Sequence, residues 1–203
     1  IDIALSGDGR KLVTSYIAIN SGEVQSKLTF YNYGKVGQNY EDRTVGAFDC
    51  GKTMIANLEF LDNDTVCAFG DDKFSIYSMQ EIPKLVHEEK ITSEIRSIFF
   101  NNQYIGLVLN NPEGEQQYKV LLYDLKGKKV LDKNMNFNYE NIYLSGNHII
   151  MYTNLEWVIW DTNGNEILRY TFDKNVSYIL PGTSERKFII INDLKMQEIE
   201  LEG

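Results

Sequence analysis

Residues 141–172 (NIYLSGNHIIMYTNLEWVIWDTNGNEILRYTF) constrain the fold of this chain more than any other stretch. The stretch divides into four short runs rich in strand-forming residues, at 141–144, 148–153, 157–161 and 166–172. The connections SGN, NLE and TNGN contain residues that reverse a chain at low steric cost. Four short strands joined by tight turns predict an antiparallel meander, which is the form of one β-propeller blade.

Imperfect copies of this pattern fill the rest of the chain. The predicted strands are 1–5, 11–18, 26–33 and 44–49 in the first copy; 57–61, 65–69, 73–78 and 84–88 in the second; 95–100, 104–109, 118–124 and 129–133 in the third; and 176–180, 187–191 and 196–201 in the fifth. The copies share an aromatic residue in the third strand: Tyr31, Tyr77, Tyr123 and Trp160.

These third-strand aromatic residues lie 46, 46 and 37 residues apart. A period of about 40–50 residues with four strands in each repeat is typical of propellers. The sequence therefore predicts an all-β fold, a β-propeller of four-stranded antiparallel blades, with five repeats in a single domain over residues 1–203. A β-sandwich, which would not need this long-range register, is the alternative.

The last copy has three predicted strands and no fourth. Propellers remove the free edges of their sheets by closing a ring. We therefore expect these 203 residues to form an open arc of a larger propeller of seven or eight blades. Chain before Ile1 would supply the outer strand of the last blade, and isolated arcs would pair with one another through their exposed ends. A closed ring of five blades is the alternative.

The charge of the chain restricts its partners. The formal net charge is −9 at pH 7, whereas a nucleic acid backbone or an anionic membrane surface binds a cationic face. We therefore expect no nucleic-acid binding and no direct membrane insertion by this segment. The sequence contains no apolar stretch long enough to span a bilayer and no recognisable signal peptide.

Residues with metal-binding chemistry are concentrated in turns. The acidic runs at 62–64 and 71–72 and the segment 161–165 contain the oxygen ligands that calcium prefers, but none completes a calcium loop. Asp and Asn are also the ordinary residues of tight turns. We therefore interpret all three as turns, with Gly164 at positive φ, and predict no metal site and no cofactor.

Candidates for catalysis are few. Asp49 lies between two apolar residues, and we interpret it as a strand-end residue that caps a turn. His87 and His148 share no metal-ligand spacing and have no evident nucleophile as a partner. Cys50 and Cys67 are predicted to be buried thiols, with a disulfide as the alternative. No nucleotide or nucleophile-elbow motif is present, and we predict no catalytic residue.

Aromatic residues are the most informative side chains for binding. Tyrosines at strand edges either form a binding surface or fill the space between blades: Tyr33, Tyr40, Tyr104, Tyr118 and Tyr139. Because large aromatic side chains dominate the packing of cores, we favour the second interpretation and assign no binding residue. Trp160, at the end of the third strand of the fourth copy, is expected to be largely buried between blades.

Two groups of motifs carry a family resemblance. The endings YDLKG and WDTNG of the third strands resemble those of WD-like and quinoprotein-like propellers. The segments FYNYGKVGQN, EFLDNDTVCAFGDDKFSIYS and IALSGDGRKLVTSY resemble an uncharacterised bacterial family whose domain has no known function. Members of that family have one membrane span near the N-terminus and a propeller outside the cell. The resemblance implies an extracytoplasmic protein, tethered to the membrane by a segment upstream of Ile1.

The expected function is non-catalytic binding of a protein or cell-envelope ligand. The alternative is a propeller enzyme acting on glycosides, in which two carboxyl groups would face each other across a channel at about 5–10 Å. A third hypothesis is that the propeller only spaces other domains. The family resemblance brings no catalytic residues that could be matched to positions of this sequence.

Overall fold

The computed structural model describes residues 2–20, 22–34, 43–111, 117–184, 186–193 and 195–201. Within these ranges the regular structure is entirely β, and no helix there is long and apolar enough to cross a membrane. The strands are β1 (Asp2–Leu5), β2 (Lys11–Asn20), β3 (Glu23–Asn32), β4 (Thr44–Asp49), β5 (Ile55–Phe60), β6 (Thr65–Gly70), β7 (Lys73–Ser78), β8 (Lys84–Lys90), β9 (Ile95–Phe100), β10 (Tyr104–Asn110), β11 (Tyr118–Asp124), β12 (Lys129–Met135), β13 (Asn141–Ser145), β14 (His148–Tyr152), β15 (Glu156–Asp161), β16 (Glu166–Thr171), β17 (Tyr178–Pro181), β18 (Lys187–Ile191) and β19 (Met196–Glu200).

The strands form five separate antiparallel meanders. Four sheets have four strands each, in the orders β1-β2-β3-β4, β5-β6-β7-β8, β9-β10-β11-β12 and β13-β14-β15-β16, and the last sheet is β17-β18-β19. Every predicted strand is present, with bounds that differ by a few residues. The predicted blades are therefore confirmed, including the three-stranded last one. The prediction of a single domain stays a prediction.

The hairpin β2–β3 departs most from the sequence prediction. Its two strands have ten residues each and remain paired up to Asn20 and Glu23, whereas the sequence predicted shorter strands. The apolar residues Ile17, Ile19 and Val24 extend the strand pattern beyond the flanking strands, and Gly22 takes φ 85° in the turn. The tip of this hairpin therefore has an exposed apolar face.

The chain forms two compact units, and the first comprises Ile1–Ile95 with Asp124–Lys128. Its core lies between the sheets β1–β4 and β5–β8 and includes Val13, Phe30 and Tyr77. The turn between β7 and β8 lies against β4, the outer strand of the sheet β1–β4. A Cβ atom built at Gly46 of β4 would be 2.5 Å from Cγ of Pro83 in this turn. Gly46 thus permits a close approach that a larger residue would block.

The second unit comprises Arg96–Tyr123 and Lys129–Gly203. One core cluster joins the sheets β9–β12 and β13–β16, and another joins β13–β16 to β17–β19. Trp160 belongs to the first cluster and is 6% exposed, which confirms its predicted burial between blades. Gly164 follows it in the turn between β15 and β16, with φ 80° as predicted.

Candidate functional site

A polar cleft of about 790 Å³ opens at one end of the second unit. Its walls are the first residues of β9, the connection 138–140, the turn 153–156 and the end of β16. Consecutive strands of a meander run in opposite directions, so the connection into the first strand and the turn between the second and third strands meet at the same end. The meander therefore brings these separate segments together.

Arg96 provides the positive charge of this cleft. Its guanidinium carbon lies 4.8 Å from the ring centroid of Tyr118 and 5.4 Å from that of Tyr139. Both rings are buried, and they meet edge to face with centroids 5.7 Å apart. Two aromatic contacts hold the planar cation in place while its remaining N–H groups can face a ligand. Within the described part of the chain, no carboxylate forms an ion pair with Arg96.

Hydrogen bonds fix the two tyrosines that hold Arg96. The hydroxyl of Tyr139 donates to Oγ of Ser97 at 2.7 Å, and that of Tyr118 donates to Oδ1 of Asn138 at 3.2 Å. Burial raises the pKa of Tyr139, against the opposing effects of its bond to Ser97 and of the charge on Arg96. The phenol of Tyr139 therefore stays neutral at physiological pH and places no negative charge beside Arg96.

The lining of the cleft also includes carboxylates and one apolar side chain. Glu156 accepts a hydrogen bond from Arg169 at 2.7 Å, and Arg169 also binds Glu166 at 2.9 Å. The bond from Arg169 is the main cause that lowers the pKa of Glu166. In the turn, Oγ1 of Thr153 accepts from the amide of Glu156 at 3.0 Å, and Leu155 remains 43% exposed. The cleft thus combines a fixed cation, carboxylates and an exposed leucine.

The predicted tyrosines separate into two groups. Tyr118 and Tyr139 are buried and Tyr104 packs against the same core cluster, which confirms the packing interpretation for these three. Tyr33 is exposed, with the guanidinium of Arg43 5.1 Å from its ring centroid. Tyr40 lies outside the described residues. Arg96 was not predicted from the sequence, because its contacts are with tyrosines from two other segments and no spacing in the sequence indicates that meeting.

The acidic segments are turns, as predicted. The carboxylate of Asp62 accepts hydrogen bonds from the amides of Asp64 and Thr65 at 2.7 and 2.6 Å. The carboxylates of Asp71 and Asp72 bond to residues 54 and 53, respectively. In the described ranges, no three His, Cys, Asp or Glu side chains lie close enough together to hold a metal ion.

Asp161 stabilises the turn of the fourth sheet in the same way. Its carboxylate accepts from the amides of Asn163 and Asn165 at 2.9 and 2.8 Å. Partial burial acts to raise the pKa of Asp161, but these hydrogen bonds outweigh it and hold the pKa below its ordinary value. The oxygens that resemble calcium ligands in the sequence therefore serve the turn.

The other residues considered for catalysis are an aspartate in a turn and two histidines in strands. Asp49 accepts a hydrogen bond from the amide of Gly51 at 2.8 Å, which is the predicted turn cap. His87 lies in β8, 3.6 Å from a carboxylate oxygen of Glu89, and His148 is the first residue of β14. These histidines are on different sheets and share no ligand set.

Cys50 and Cys67 are both free and buried, so the buried-thiol interpretation is confirmed. Burial raises the pKa of each thiol, and most strongly that of Cys67, which has no exposed surface. A thiol with a raised pKa is a poor nucleophile at neutral pH. Neither cysteine lines the cleft of the second unit.

Solved structures with similar folds are WD40 propellers. Sqt1 from Chaetomium thermophilum, bound to the N-terminus of ribosomal protein L10, aligns with a TM-score of 0.60 and 12% identity over 98% of this chain and 60% of its own. The Pan2 WD40 domain from Neurospora crassa aligns with a TM-score of 0.53 and 9% identity over 93% of this chain and 58% of its own. This chain therefore has a WD40-like propeller fold and spans less than two thirds of the length of these structures.

The sequence comparisons give a family rather than an activity. No curated protein matches this chain. The family DUF5711, a family of unknown function, matches residues 1–201. Because that match covers nearly the whole sequence, this chain belongs to the DUF5711 family.

Proposed function

We propose that this chain is a non-catalytic scaffold that binds a segment of a partner protein in the cleft of the second unit. The observation that carries the proposal is Arg96, a cation held between two buried tyrosine rings and free of any described carboxylate partner. Arg and aromatic residues are enriched among the residues that dominate protein–protein binding. Leu155 adds exposed apolar area beside the cation.

The chemistry of the cleft favours a polypeptide over a sugar or a nucleic acid. The guanidinium of Arg96 can donate two parallel hydrogen bonds to a carboxylate or a backbone carbonyl. The carboxylates of Glu140 and Glu156, which also line the cleft, can accept from amide or amine groups of the same ligand. A peptide presents both donors and acceptors, together with side chains that could contact Leu155.

The fold supports this class of ligand. WD40 propellers present the loops at the ends of their blades as binding surfaces on a rigid scaffold. The Sqt1 structure shows one such propeller with the N-terminus of ribosomal protein L10 bound. For the present chain we propose the class of ligand alone, a protein segment, which includes a protein of the cell envelope.

We further propose an extracytoplasmic location, with a tether to the membrane upstream of Ile1. The proposal is based on the resemblance to the bacterial family described from the sequence. Protease treatment of intact cells that produce the natural protein tests it. Digestion of the propeller in intact cells is expected, whereas protection until the cells are lysed would contradict the proposed location.

The binding proposal is tested by photo-crosslinking in the producing cells. A photoreactive residue replaces Asn154, which lines the cleft with an exposed side chain, and the adducts are compared with and without Arg96→Ala. The matched control is Lys174→Ala, which removes a positive charge from the same unit outside the cleft.

Protein adducts that are lost with Arg96→Ala and retained with Lys174→Ala are the expected result. Adducts of equal yield in both variants would contradict a role for the cleft. Glycoside hydrolysis by the purified chain, abolished by substitution of Glu140 or Glu156, would instead establish the enzymatic alternative.

A further inference from the structure

The two carboxylates that line the cleft with Arg96 are engaged differently, and Glu156 is the one with a cationic partner inside the protein. Its Oε1 accepts a hydrogen bond from Nη1 of Arg169 at 2.7 Å. Arg169 also donates to both carboxylate oxygens of Glu166, at 3.0 and 2.9 Å, and its guanidinium carbon lies 5.4 Å from the ring centroid of Phe137. These contacts hold the charge of Glu156 in an ion-pair network of the protein itself.

Glu140 has different surroundings. It follows Tyr139 directly in the chain, and its amide donates a hydrogen bond to the carbonyl of Tyr152 at 3.0 Å. Its side chain is exposed and lines the cleft. Among the residues that the structure describes, no lysine or arginine forms an ion pair with its carboxylate. Glu140 therefore presents a negative charge to the cleft from a backbone position that a hydrogen bond fixes.

Arg96 and Glu140 give the cleft two charges of opposite sign. Tyr139 connects them, since its ring centroid lies 5.4 Å from the guanidinium carbon of Arg96 and its backbone continues directly into Glu140. A charged group that meets a complementary charge gains a charge-assisted hydrogen bond, which is about twice as strong as a neutral one. The cleft can therefore gain two such contacts from a ligand that carries both signs.

The charge of the whole chain opposes a ligand that is only acidic. With 29 acidic residues against 20 lysines and arginines, the net charge is −9, and the field of such a chain repels polyanions. A purely acidic segment, or a phosphate group, would also bring negative charge to Glu140. A purely basic segment would place like charge beside Arg96, and like charges across an interface disfavour a partner. A segment with one residue of each sign avoids both penalties.

We propose that the cleft selects a protein segment that carries an acidic and a basic residue, with the carboxylate bound by Arg96 and the basic group bound by Glu140. This inference rests on the proposed function and names the chemistry of the segment. The planar guanidinium of Arg96 donates two parallel hydrogen bonds to the carboxylate, and the carboxylate of Glu140 accepts from the ammonium or guanidinium group. Leu155, exposed in the same cleft, contacts an apolar residue of the segment.

The test uses the whole chain and synthetic nine-residue peptides that are capped at both ends, so that their termini carry no charge. Each peptide has an alanine and serine background with one leucine, flanked by glutamate and lysine in either order. Three matched peptides replace the glutamate, the lysine or both by glutamine. Titrations followed by NMR give each dissociation constant, and the Nε–H signal of Arg96 reports contact with the peptide carboxylate.

The wild-type chain is expected to bind the better order of the glutamate–lysine peptide about tenfold more tightly than either singly substituted peptide. In Arg96→Gln the preference for glutamate should disappear while the preference for lysine remains, and in Glu140→Gln the reverse should hold. Glu198→Gln, which removes an exposed carboxylate of the same unit outside the cleft, should bind like the wild type.

Equal binding of all four peptides by the wild-type chain, or no binding at millimolar peptide, would overturn the inference. So would preferences that persist in both cleft variants. The peptide substitutions leave the protein unaltered, so the comparison holds even where a protein variant fails to fold. The proposed function fails separately, since it requires photo-crosslinked adducts that depend on Arg96, whatever charges the partner segment carries.

Discussion

Trp160 shows how a single residue connects the sequence pattern to packing. It precedes the turn aspartate of the fourth copy, and it lies in the cluster between two sheets with the ammonium of Lys133 5.0 Å from its ring centroid. The aromatic-Asp motif therefore has two roles. The ring of Trp160 fills the space between blades, and the carboxylate of Asp161 accepts the hydrogen bonds that stabilise the turn.

Trp160→Ala should lower the free energy of unfolding by about 3–5 kcal/mol, since it removes a large buried side chain and leaves a cavity. Urea unfolding followed by circular dichroism measures the loss. The matched control is Tyr170→Ala, a half-exposed aromatic residue in the same unit, with an expected loss of about 1 kcal/mol because its ring contacts that of Phe172. A loss below about 1 kcal/mol for Trp160→Ala would show that its ring is not part of the core.

At the scale of elements, the turns between third and fourth strands attach one sheet to the next. A Cβ atom at Gly164 would lie 2.8 Å from both Cδ1 of Leu131 and Cδ of Lys133, which belong to the outer strand of the preceding sheet. The ammonium of Lys133 also donates to the carbonyl of Gly164. Because Gly164 has no side chain, it permits both the positive φ of the turn and the close contact between the sheets.

Gly164→Ala should destabilise the chain by about 1–2 kcal/mol for the left-handed backbone and by a further 1–3 kcal/mol for the overcrowded contact. Gly51→Ala is the matched control, since Gly51 has φ 63° but no atom within 4 Å of the added Cβ. Its cost should be the backbone contribution alone. Equal losses in thermal unfolding of the two variants would contradict the interpretation of the Gly164 turn as a contact between sheets.

Strands and turns were predictable from the sequence because their determinants are local. Alternating apolar residues and turn residues predict the strands of all five sheets. The length of the hairpin β2–β3 was underestimated, because its apolar tip extends beyond the flanking strands β1 and β4. The cleft was not predictable, since Arg96 meets Tyr118 and Tyr139 only after three segments have folded.

For the molecule as a whole, the net charge of −9 predicts that DNA and RNA are not binding partners. Because a polyanion would be repelled, we expect no mobility shift of DNA or RNA at micromolar protein and physiological salt. A shift that weakens as salt is added would contradict this prediction. An unrelated basic protein of similar size, assayed in parallel, shows that the assay detects electrostatic binding.

The closure of the propeller also belongs to this scale and stays a prediction. The prediction made from the sequence is an open arc. A crystal structure checks this expectation. Direct packing of the sheet β1–β4 against the sheet β17–β19 of the same chain would contradict it and would establish a closed ring of five blades.

In the proposed function, Arg96 anchors a protein segment in the cleft of the second unit. Calorimetric titration of the crosslinked partner segment, made as a synthetic peptide, into the wild-type chain and the variants Arg96→Lys, Arg96→Ala and Lys174→Ala tests it most directly. Lysine keeps the charge but loses the planar fork, so both Arg96 variants should bind at least about tenfold more weakly, while Lys174→Ala should bind like the wild type. An affinity that is unchanged by Arg96→Ala would contradict the claim.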